Sequence, residues 1–481
     1  MIPVRGFEGK RVAVFGLGRT GLTAARALKA GGAEPVLWDE KPAARQAAAA
    51  EGFELADLRQ VDWSSLAALM LSPGVPLTHP QPHWTVELAR AAGVEILGDI
   101  ELFARTVNAA PEYKRPKVIA ITGTNGKSTT TALVGHMLTA AGRDARIGGN
   151  IGYGVLGLDD MHGGAVYVLE VSSYQLDLTS SLKPDVAILL NISPDHLDRH
   201  GGMEGYIAAK RRILLNQGKG DTAVIGVDDP WGQRICTEIT AANRRTICPI
   251  SAGRSMGRGV YALSGVLYDA TGDRVLEVAD LLRARSLPGR HNWQNAAAAY
   301  AAVRALGLSV EDAATGLVTF PGLAHRMETV GHIDGVRFVN DSKATNADAA
   351  RQAMSAYPRF HWIAGGRAKE GGIDSLEDLF PRIAKAYLIG EAAKDFAAAL
   401  DGKAPYAICG DLATATATAF ADAQATGTGT SNGGNGGGEA IVLLSPACAS
   451  FDQFSDFEAR GEAFRAAVTD LMRQPARGVN A

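Results

Sequence analysis

The segment from 118 to 141 restricts the fold of this chain more than any other part of its sequence. An apolar run, Val118 to Thr122, is followed by the glycine-bounded sequence GTNGKST at 123–129 and then by a stretch typical of a helix. In a strand–loop–helix unit of this kind, backbone N–H groups and the helix N-terminus face phosphate oxygens. The segment therefore predicts a nucleotide-binding α/β domain with a mostly parallel sheet.

The residues of this loop have distinct expected roles. Lys127 would neutralise the β- and γ-phosphates, and a hydroxyl from Ser128 or Thr129 would reach Mg²⁺. The loop is a variant, because the general pattern places glycine five residues before Gly126, where this chain has Ile121. A glycine turn with an incidental lysine is the alternative, which the strand–loop–helix context disfavours. The expected phosphate-binding residues are Gly123, Thr124, Asn125, Gly126, Lys127, Ser128 and Thr129.

The composition indicates a multidomain protein without a strong overall charge. At roughly 150 residues per domain, the length of 481 residues predicts about three domains. The 48 lysines and arginines nearly balance the 51 acidic residues, so no global basic field would hold nucleic acid or an anionic membrane. Scattered cysteines, the lack of a signal-peptide pattern and the lack of an 18-residue apolar run predict a cytoplasmic protein without membrane insertion.

Alternating strand and helix patterns divide the chain into three expected domains. The first spans 1–96, the second spans 97–322 and contains the phosphate loop, and the third spans 323–481. Short alternating runs between 244 and 282 predict an antiparallel appendage on the second domain. Residues 427–438, GTGTSNGGNGGG, are of low complexity and predict a mobile surface loop with no function.

The first domain contains a second glycine-rich loop, GLGRTG at 16–21, between an expected strand and helix. Such a loop can hold a pyrophosphate, and Asp39, at the end of the next strand, could bind a ribose hydroxyl. Pattern alone leaves three interpretations open, which are NAD, another nucleotide, and a tight strand–helix turn. The domain is short for a six-stranded dinucleotide fold, since it ends near residue 97.

Polar residues downstream of the phosphate loop follow two expected strands. Glu170 ends one strand, and His196 follows another, so both are candidate Mg²⁺ ligands at the carboxyl edge of the sheet. A hard cation prefers oxygen, which favours Glu170, and His196 could instead satisfy turn hydrogen bonds. Lys210 lies in a probable helix, where pattern alone predicts a solvated basic face and no role.

Other polar residues keep two interpretations each. Asn292 and Asn295 flank an expected helix start, where an amide could cap the helix or contact an adenine edge. Arg326 and Lys343 could stabilise the γ-phosphate or form surface ion pairs. Cys448 has no evident histidine partner in the sequence, which disfavours a nucleophilic role.

Taken together, the motifs resemble those of the Mur ligases over nearly the whole chain. They are GTNGKST (123–129), GGNIG (148–152), LEVSSYQL (169–176), NISPDHLDRH (191–200), AAKRRI (208–213), GRHNWQN (289–295), HRME (325–328), NDSKATN (340–346) and SPACASFDQF (445–454). Folylpolyglutamate synthetases share the variant loop but not the last motif. The resemblance implies three α/β domains: a Rossmann-like one that holds UDP instead of NAD, a central ATPase-like one, and a Rossmann-like C-terminal one.

The resemblance also implies site residues. The UDP-linked substrate would contact Arg19, Thr20, Asp39, Glu40, Lys41, Ser72 and Asn150. ATP would contact the phosphate loop, Asn295, Arg326 and Asp341. The incoming amino acid would contact Thr345, Lys369, Ser450, Phe451 and Phe457. The metal ligands would be Ser128, Glu170, His196 and, if carbamylated by CO₂, Lys210. The catalytic residues would be Lys127, Lys210, His196, Arg326 and Lys343.

The activity that the resemblance implies is ATP-dependent addition of D-glutamate to UDP-N-acetylmuramoyl-L-alanine. It would proceed through an acyl phosphate, use two Mg²⁺ ions and serve cytoplasmic peptidoglycan precursor synthesis, with the protein acting as a monomer. Two other classes make different predictions. A nicotinamide-dependent dehydrogenase leaves GTNGKST unexplained, and a nucleotide sensor would bind ATP without turnover.

Overall fold

The computed structural model describes residues 1–368, 371–427 and 439–473. The chain forms two compact units, Met1–Phe320 and Pro321–Ala481. Within the described residues, the first unit contains a five-stranded and a nine-stranded sheet, and the second contains a six-stranded sheet. These mostly parallel sheets with their helices confirm the predicted α/β class. The domain boundaries at 96/97 and 322/323 stay predictions.

The five-stranded sheet is entirely parallel. Its strands are β1 (Arg11–Phe15), β2 (Glu34–Trp38), β3 (Glu54–Leu55), β4 (Leu66–Leu71) and β5 (Glu95–Leu97), in the order β3-β2-β1-β4-β5. The accompanying helices are α1 (Arg19–Ala30), α2 (Pro42–Ala50), α3 (Trp84–Ala91) and α4 (Asp99–Ala109). β1 is an apolar run because a central parallel strand is covered on both faces.

The nine-stranded sheet has β6 near its centre. Its strands are β6 (Lys117–Thr122), β7 (Asp144–Gly149), β8 (Ala165–Glu170), β9 (Val186–Leu189), β10 (Thr222–Gly226), β11 (Thr246–Ser251), β12 (Val260–Leu263), β13 (Val266–Asp269) and β14 (Leu276–Asp280). Their order is β14-β13-β12-β11-β10-β9-β6-β8-β7. β12, β13 and β14 pair antiparallel, which confirms the predicted appendage, and β12 joins it to β11 in parallel.

The helices of this region are α5 (Lys127–Ala140), α6 (Ser173–Asp177), α7 (Leu197–His200), α8 (Met203–Arg211), α9 (Pro230–Ala242), α10 (Arg290–Ala305) and α11 (Val310–Thr319). Successive residues of β6 point to opposite faces of the sheet. Ile119 and Ile121 join one buried cluster, and Val118 and Ala120 join another. The second cluster also contains Val12 of β1, so one apolar core links the first two sheets, and residues 1–320 form one compact unit.

The six-stranded sheet belongs to the second unit. Its strands are β15 (Glu328–Ile333), β16 (Val336–Asn340), β17 (Phe360–Gly365), β18 (Ile383–Ile389), β19 (Tyr406–Gly410) and β20 (Ala440–Leu444), in the order β15-β16-β20-β17-β18-β19. The helices are α12 (Ala347–Ser355), α13 (Ala393–Leu400), α14 (Leu412–Gly427) and α15 (Phe457–Arg473). β15 is antiparallel to β16, and the other strand pairs are parallel.

Two further sequence predictions concern the glycine-rich segment at 427–438 and the lack of membrane insertion. The expected mobile loop began at residue 427, but Gly427 is the last residue of α14. Its remainder, 428–438, lies outside the described residues. In the part of the chain that the structure describes, no helix combines the length and apolarity needed to span a bilayer.

Candidate active site

The phosphate loop lies between β6 and α5, at the carboxyl edge of the nine-stranded sheet. Gly126, directly before α5, has φ +84°, a left-handed conformation that favours glycine. A Cβ added to Gly126 would lie 2.1 Å from Oδ1 of Asn295. Asn295, on α10, therefore packs directly against the loop, which is where a nucleotide-binding residue is expected.

Asn191, after β9, anchors the other side of the loop. Its carbonyl accepts a hydrogen bond from Thr124 N (2.9 Å), and its Oδ1 accepts one from Asn125 N (2.9 Å). Asn191 Nδ2 also donates to Oε1 of Gln294, at 3.0 Å. Gln294 was not predicted from the sequence, although it lies in the GRHNWQN motif. Asn191 and Gln294 thus couple the loop to α10.

The amides of the GRHNWQN motif do not cap a helix. α10 begins at Arg290, and its N-cap residue, Gly289, has no side chain to supply a cap. Asn292 Nδ2 donates to Pro288 O at 2.8 Å, and Asn295 Nδ2 donates to Asn292 Oδ1 at 3.1 Å. The capping interpretation is wrong, because both asparagines lie within the helix and Asn292 orients Asn295.

Two lysines donate to carbonyls of the phosphate loop. Lys127 Nζ lies 2.9 Å from Gly123 O and 2.8 Å from Thr124 O, and Lys210 Nζ lies 2.8 Å from Gly123 O. Both side-chain amines therefore lie beside the loop that would hold the triphosphate.

The environment of Lys210 differs from the solvated basic face that the sequence pattern predicted. Its side chain is 1% exposed, so the solvated basic face expected at this position is wrong. In α8, Lys210 follows Tyr206 by one helical turn, and both residues belong to the buried face. Burial lowers the pKa of Lys210 well below its ordinary value, and the charge of Lys127 lowers it further. A buried amine of this kind is neutral in a larger fraction of molecules than a surface lysine.

Glu170, at the end of β8, is 2% exposed. Its Oε1 accepts a hydrogen bond from Asn150 Nδ2 at 2.7 Å, and its Oε2 is buried without a hydrogen-bond partner. A buried carboxylate oxygen without a partner is costly unless a cation satisfies it. Glu170 therefore fits Mg²⁺, and the buried hydroxyl of Ser128 in the first turn of α5 is an oxygen ligand of the right type.

Among the described residues, ionisable side chains alone do not form a complete metal-ligand set around Glu170. Within residues 1–368, 371–427 and 439–473, no three His, Cys, Asp or Glu side chains are grouped as a metal centre. His196, before α7, has φ +52°, its ring lies 5.0 Å from that of Tyr174, and its Nε2 lies 3.4 Å from Asp195 Oδ2. Hydroxyls, phosphate oxygens or a modified lysine would complete a site around Glu170.

The carboxyl edge of the five-stranded sheet gathers several of the expected UDP-binding residues. Asp39 Oδ2 accepts a hydrogen bond from Leu17 N (2.6 Å), and its Oδ1 accepts one from Lys41 N (2.8 Å). Ser72, after β4, donates to Gly16 O at 2.6 Å. Asp39 and Ser72 therefore hold the GLGRTG loop from two sides. The remaining expected residues of this loop, Arg19 and Thr20, are the first two residues of α1.

Glu40, at the same edge, contacts a cluster of aromatic and basic side chains that was not predicted from the sequence. Its carboxylate accepts a hydrogen bond from Trp84 Nε1 at 3.2 Å and lies 3.6 Å from the guanidinium of Arg59. The Arg59 guanidinium lies 4.0 Å from the Trp84 ring centre, and His83 Nε2 lies 3.7 Å from Glu40. The available signal was a His-Trp pair at the start of a helix that follows a proline-rich segment.

In the second unit, Asp341 is 5% exposed. Its Oδ1 accepts a hydrogen bond from Met327 N (3.2 Å), and its Oδ2 accepts one from Ser445 Oγ (2.9 Å). Burial raises the pKa of Asp341 to about 7, although the positive charge of Arg326 opposes this shift. Asp341 thus links three of the recognised motifs, HRME, NDSKATN and SPACASFDQF.

Lys343 lies 4.2 Å from the ring centre of Phe457, the first residue of α15. Thr345 follows on the same loop, and its N–H donates to Lys343 O at 2.8 Å. Three expected residues, Lys343, Thr345 and Phe457, therefore lie close together in this unit.

The SPACASFDQF segment follows β20. Ser450 is buried, at 2% exposure, whereas Phe451 is 64% exposed. Burial raises the pKa of the Cys448 thiol to about 12, which favours the protonated thiol and disfavours a nucleophilic role. Lys369, the remaining residue expected to bind the amino acid, lies outside the described residues.

The fold and the loop define a class: an α/β nucleotide-binding protein with its phosphate loop at the carboxyl edge of a parallel sheet. Three family models match successive parts of the chain. The Mur ligase MurD-like N-terminal domain matches residues 10–98, the Mur ligase middle domain 121–303, and the Mur ligase glutamate ligase domain 325–448. The chain belongs to the Mur ligase family.

The chain also has high sequence identity to individual named proteins. The chain is 79% identical over 471 residues, 98% of each sequence, to the UDP-N-acetylmuramoylalanine–D-glutamate ligase of Caulobacter vibrioides strain NA1000. It is 53% identical over 472 residues, again 98% of each, to the enzyme of the same name from Mesorhizobium japonicum. These relatives confirm the predicted similarity to Mur ligases, and both carry the name of a D-glutamate ligase.

Solved structures support the fold. The UDP-N-acetylmuramate–alanine ligase of Thermotoga maritima has a TM-score of 0.56 at 18% identity, with 96% of this chain and 99% of that one covered. A MurF ligase from Thermotoga maritima in complex with ADP has a TM-score of 0.55 at 16% identity, with 98% of each chain covered. The three-domain Mur ligase architecture is therefore confirmed for this chain.

Proposed function

We propose that this chain joins D-glutamate to the L-alanine carboxylate of UDP-N-acetylmuramoyl-L-alanine and converts ATP to ADP and phosphate. The observation that carries the proposal is the 79% identity, over 98% of both chains, to a relative whose name states this reaction. The site supports it, because the phosphate loop, two loop-bound lysines and a buried carboxylate with an unsatisfied oxygen lie at one edge of the central sheet.

The proposed reaction has two steps. The substrate carboxylate oxygen attacks the γ-phosphorus of ATP and ADP leaves, which gives an acyl phosphate. The D-glutamate nitrogen then attacks the acyl carbon, the nitrogen loses a proton and inorganic phosphate leaves. The protein supplies position and charge rather than a nucleophile, which agrees with the buried, protonated thiol of Cys448.

Positive charge must offset the repulsion between a carboxylate and a triphosphate. We assign this role to Lys127, whose Nζ already lies among the loop carbonyls, and to Arg326 and Lys343 of the second unit. Asn295 would contact the nucleotide through its packing against Gly126. Asp341, held by Ser445 and Met327, would keep the HRME segment in position.

Bound Mg²⁺ would neutralise phosphate charge and polarise the γ-phosphoryl group. Among the residues of this chain, Glu170 and Ser128 fit one ion, and His196 is a further candidate ligand. Burial lowers the pKa of Lys210 and so favours the neutral amine that reaction with CO₂ requires, and its carbamate would provide oxygens for the second ion.

We assign the remaining substrate groups by motif and position. The UDP part would lie at the edge formed by Arg19, Thr20, Asp39, Glu40, Lys41 and Ser72, with Asn150 near the reacting end. The amino acid would contact Thr345, Lys369, Ser450, Phe451 and Phe457 in the second unit. We also propose that the enzyme is a cytoplasmic monomer that uses two Mg²⁺ ions, as the motif resemblance implies.

The deciding experiment measures phosphate release from ATP with UDP-N-acetylmuramoyl-L-alanine and one amino acid at a time. We expect stimulation by D-glutamate and none by L-glutamate, glycine or a diamino acid, with the amide product confirmed by mass spectrometry. ATP binding without D-glutamate-dependent phosphate release would reject the ligase and favour a nucleotide sensor. Stimulation by a different amino acid would reject the substrate assignment alone.

A further inference from the structure

A hydrogen-bonded triplet on α6 and α7 contains a buried histidine, a buried serine and a partly exposed aspartate. His200, the last residue of α7, is 6% exposed. Its Nδ1 lies 3.0 Å from Asp177 Oδ2, and its Nε2 lies 3.0 Å from Ser173 Oγ. Asp177 and Ser173 are the two ends of α6, the short helix that follows β8 and Glu170. Both ring nitrogens are therefore held by one helix.

The order Asp–His–Ser is that of a nucleophilic triad, but this site cannot act as one. Ser173 is 4% exposed, so a substrate carbonyl cannot reach its hydroxyl. The proposed ligation also needs no protein nucleophile. The buried hydrogen bonds instead fix the position of the imidazole, since burying polar groups is costly and hydrogen bonds offset that cost.

The His200 ring lies between two tyrosines. It stacks on Tyr174 at 5.4 Å between ring centres and 16° between planes, and it lies 5.4 Å from Tyr206 at 54°. α8 also approaches the end of α7 closely, because a Cβ on Gly205 would lie 1.9 Å from His200 O. No larger residue at 205 would allow this packing. The His200 ring therefore packs between Tyr174 of α6 and Tyr206 of α8, where α7 and α8 lie close together.

Each tyrosine contacts a residue that is assigned to ATP binding or metal binding. On one side, the Tyr174 ring lies 5.0 Å from that of His196, which has φ +52°. For a residue other than glycine, this left-handed conformation costs roughly 1–2 kcal/mol, so surrounding contacts must maintain it. On the other side, Tyr206 OH lies 3.1 Å from Thr124 Oγ1 in the phosphate loop, and Lys210 Nζ lies 4.5 Å from the Tyr206 ring centre.

We propose that His200, held by Asp177 and Ser173, is a positioning residue that fixes Tyr174 and Tyr206, and through them His196 and the phosphate loop, for the metal–nucleotide complex. Because its ring nitrogens are held by Asp177 and Ser173, His200 would act through the two tyrosines. Its effect on catalysis rests on the proposed function, whereas its effect on metal–nucleotide binding does not.

The test measures Mn²⁺ binding in the presence of ADP, from the electron paramagnetic resonance signal of free Mn²⁺, with the full chain. His200→Phe keeps an aromatic ring between the tyrosines and removes both hydrogen bonds. We expect the Mn²⁺ dissociation constant to rise about 10- to 100-fold, as when groups that orient metal ligands are removed. Ser173→Ala removes one of the two bonds and should give a smaller rise in the same direction.

A double variant tests whether Ser173 affects Mn²⁺ binding only through His200. Because Ser173 acts through His200, adding Ser173→Ala to His200→Phe should not raise the dissociation constant further. In kinetic assays, kcat should fall while the KM for D-glutamate stays unchanged, since the amino-acid residues lie in the second unit.

The matched control is His361→Phe. His361 is also buried, at 4% exposure, with Nδ1 2.8 Å from Tyr387 OH and its ring stacked on Tyr387. It lies in the second unit, outside the residues assigned to the site. This variant should lower thermal stability and leave Mn²⁺ affinity unchanged. Wild-type Mn²⁺ affinity in folded His200→Phe would overturn the inference; if that variant does not fold, wild-type affinity in Ser173→Ala would do so.

Failure of the proposed function gives a different result. A wild-type protein that binds Mn²⁺–ADP but shows no D-glutamate-dependent phosphate release would reject the ligase. The variants could still be compared by Mn²⁺ binding, so the role of His200 would be decided separately.

Discussion

Replacement of Gly126 by alanine tests whether the phosphate loop needs glycine for its backbone, for space, or for both. Gly126 has φ +84°, and an added Cβ would lie 2.1 Å from Asn295 Oδ1 and 3.0 Å from Asn295 Cγ. Two costs should therefore add. The left-handed backbone costs alanine roughly 1–2 kcal/mol, and overpacking against Asn295 costs typically about 1–3 kcal/mol more.

A second glycine variant and a double variant separate the backbone cost from the packing cost. Gly142, just after α5, has φ +73° and no atom within 4 Å of an added Cβ. Gly142→Ala should therefore show the backbone cost alone, about 1–2 kcal/mol, while Gly126→Ala should lose about 2–5 kcal/mol in total. Combining Gly126→Ala with Asn295→Ala removes the collision, so the double variant should be less destabilised than the sum of the single variants.

Urea unfolding followed by tryptophan fluorescence measures the effect, since five of the six tryptophans lie in residues 1–320. Phosphate release measures the function, and Gly126→Ala should lower it because the loop N–H groups move from their phosphate-binding positions. Equal stability of Gly126→Ala and Gly142→Ala would refute the packing of Asn295 against the loop. Full activity of Gly126→Ala would refute the phosphate role of this turn.

Three further predictions concern individual ionisable residues. Lys127→Ala should abolish amide formation with only minor unfolding, as judged by product mass spectrometry and circular dichroism; near-normal turnover would contradict the loop assignment. Lys210→Ala should be inactive and regain activity in added short-chain carboxylic acids, and full activity without them would exclude the carbamate. Asp341 has a pKa raised by burial from 3.8 to about 7, so the folded state binds its proton more tightly than the unfolded state. Its contribution to stability is then complete below about pH 4 and falls as the pH rises to about 7, by an amount on the order of 4 kcal/mol. Asp341→Asn should flatten this dependence in urea unfolding between pH 4 and pH 8, and an unchanged slope would contradict it.

The sequence predicted strands best where both faces are buried. β6 and β8 are apolar runs in a covered sheet. The expected strand from Val118 to Thr122 is observed as Lys117–Thr122, and β8 ends at Glu170 as expected. β7 was not predicted, because DARIGG ends in two glycines and starts with charged residues. β15 was not predicted either, since it is a half-exposed edge strand with little apolar alternation.

Local motifs predicted the site less completely than the fold. The phosphate loop was identified because its backbone, glycine and lysine are contiguous in sequence. Gln294 and Arg59 depend on partners distant in sequence, Asn191 and Trp84 respectively, and no local pattern indicates those contacts. Resemblance to a family supplied roles for other residues of the site, such as Asn295, but not the hydrogen bonds that hold them.

Lys210 illustrates the physical reason for this limit. Its amine and the Lys127 ammonium donate to the same carbonyl, Gly123 O, so a protonated Lys210 would place two like charges at one acceptor in a buried place. Burial and the charge of Lys127 both disfavour a protonated Lys210. Carbamylation would replace that repulsion by attraction, because the lysine would then carry a negative charge beside Lys127. The role of this lysine is therefore determined by burial and by a second cation, which a local sequence pattern does not contain.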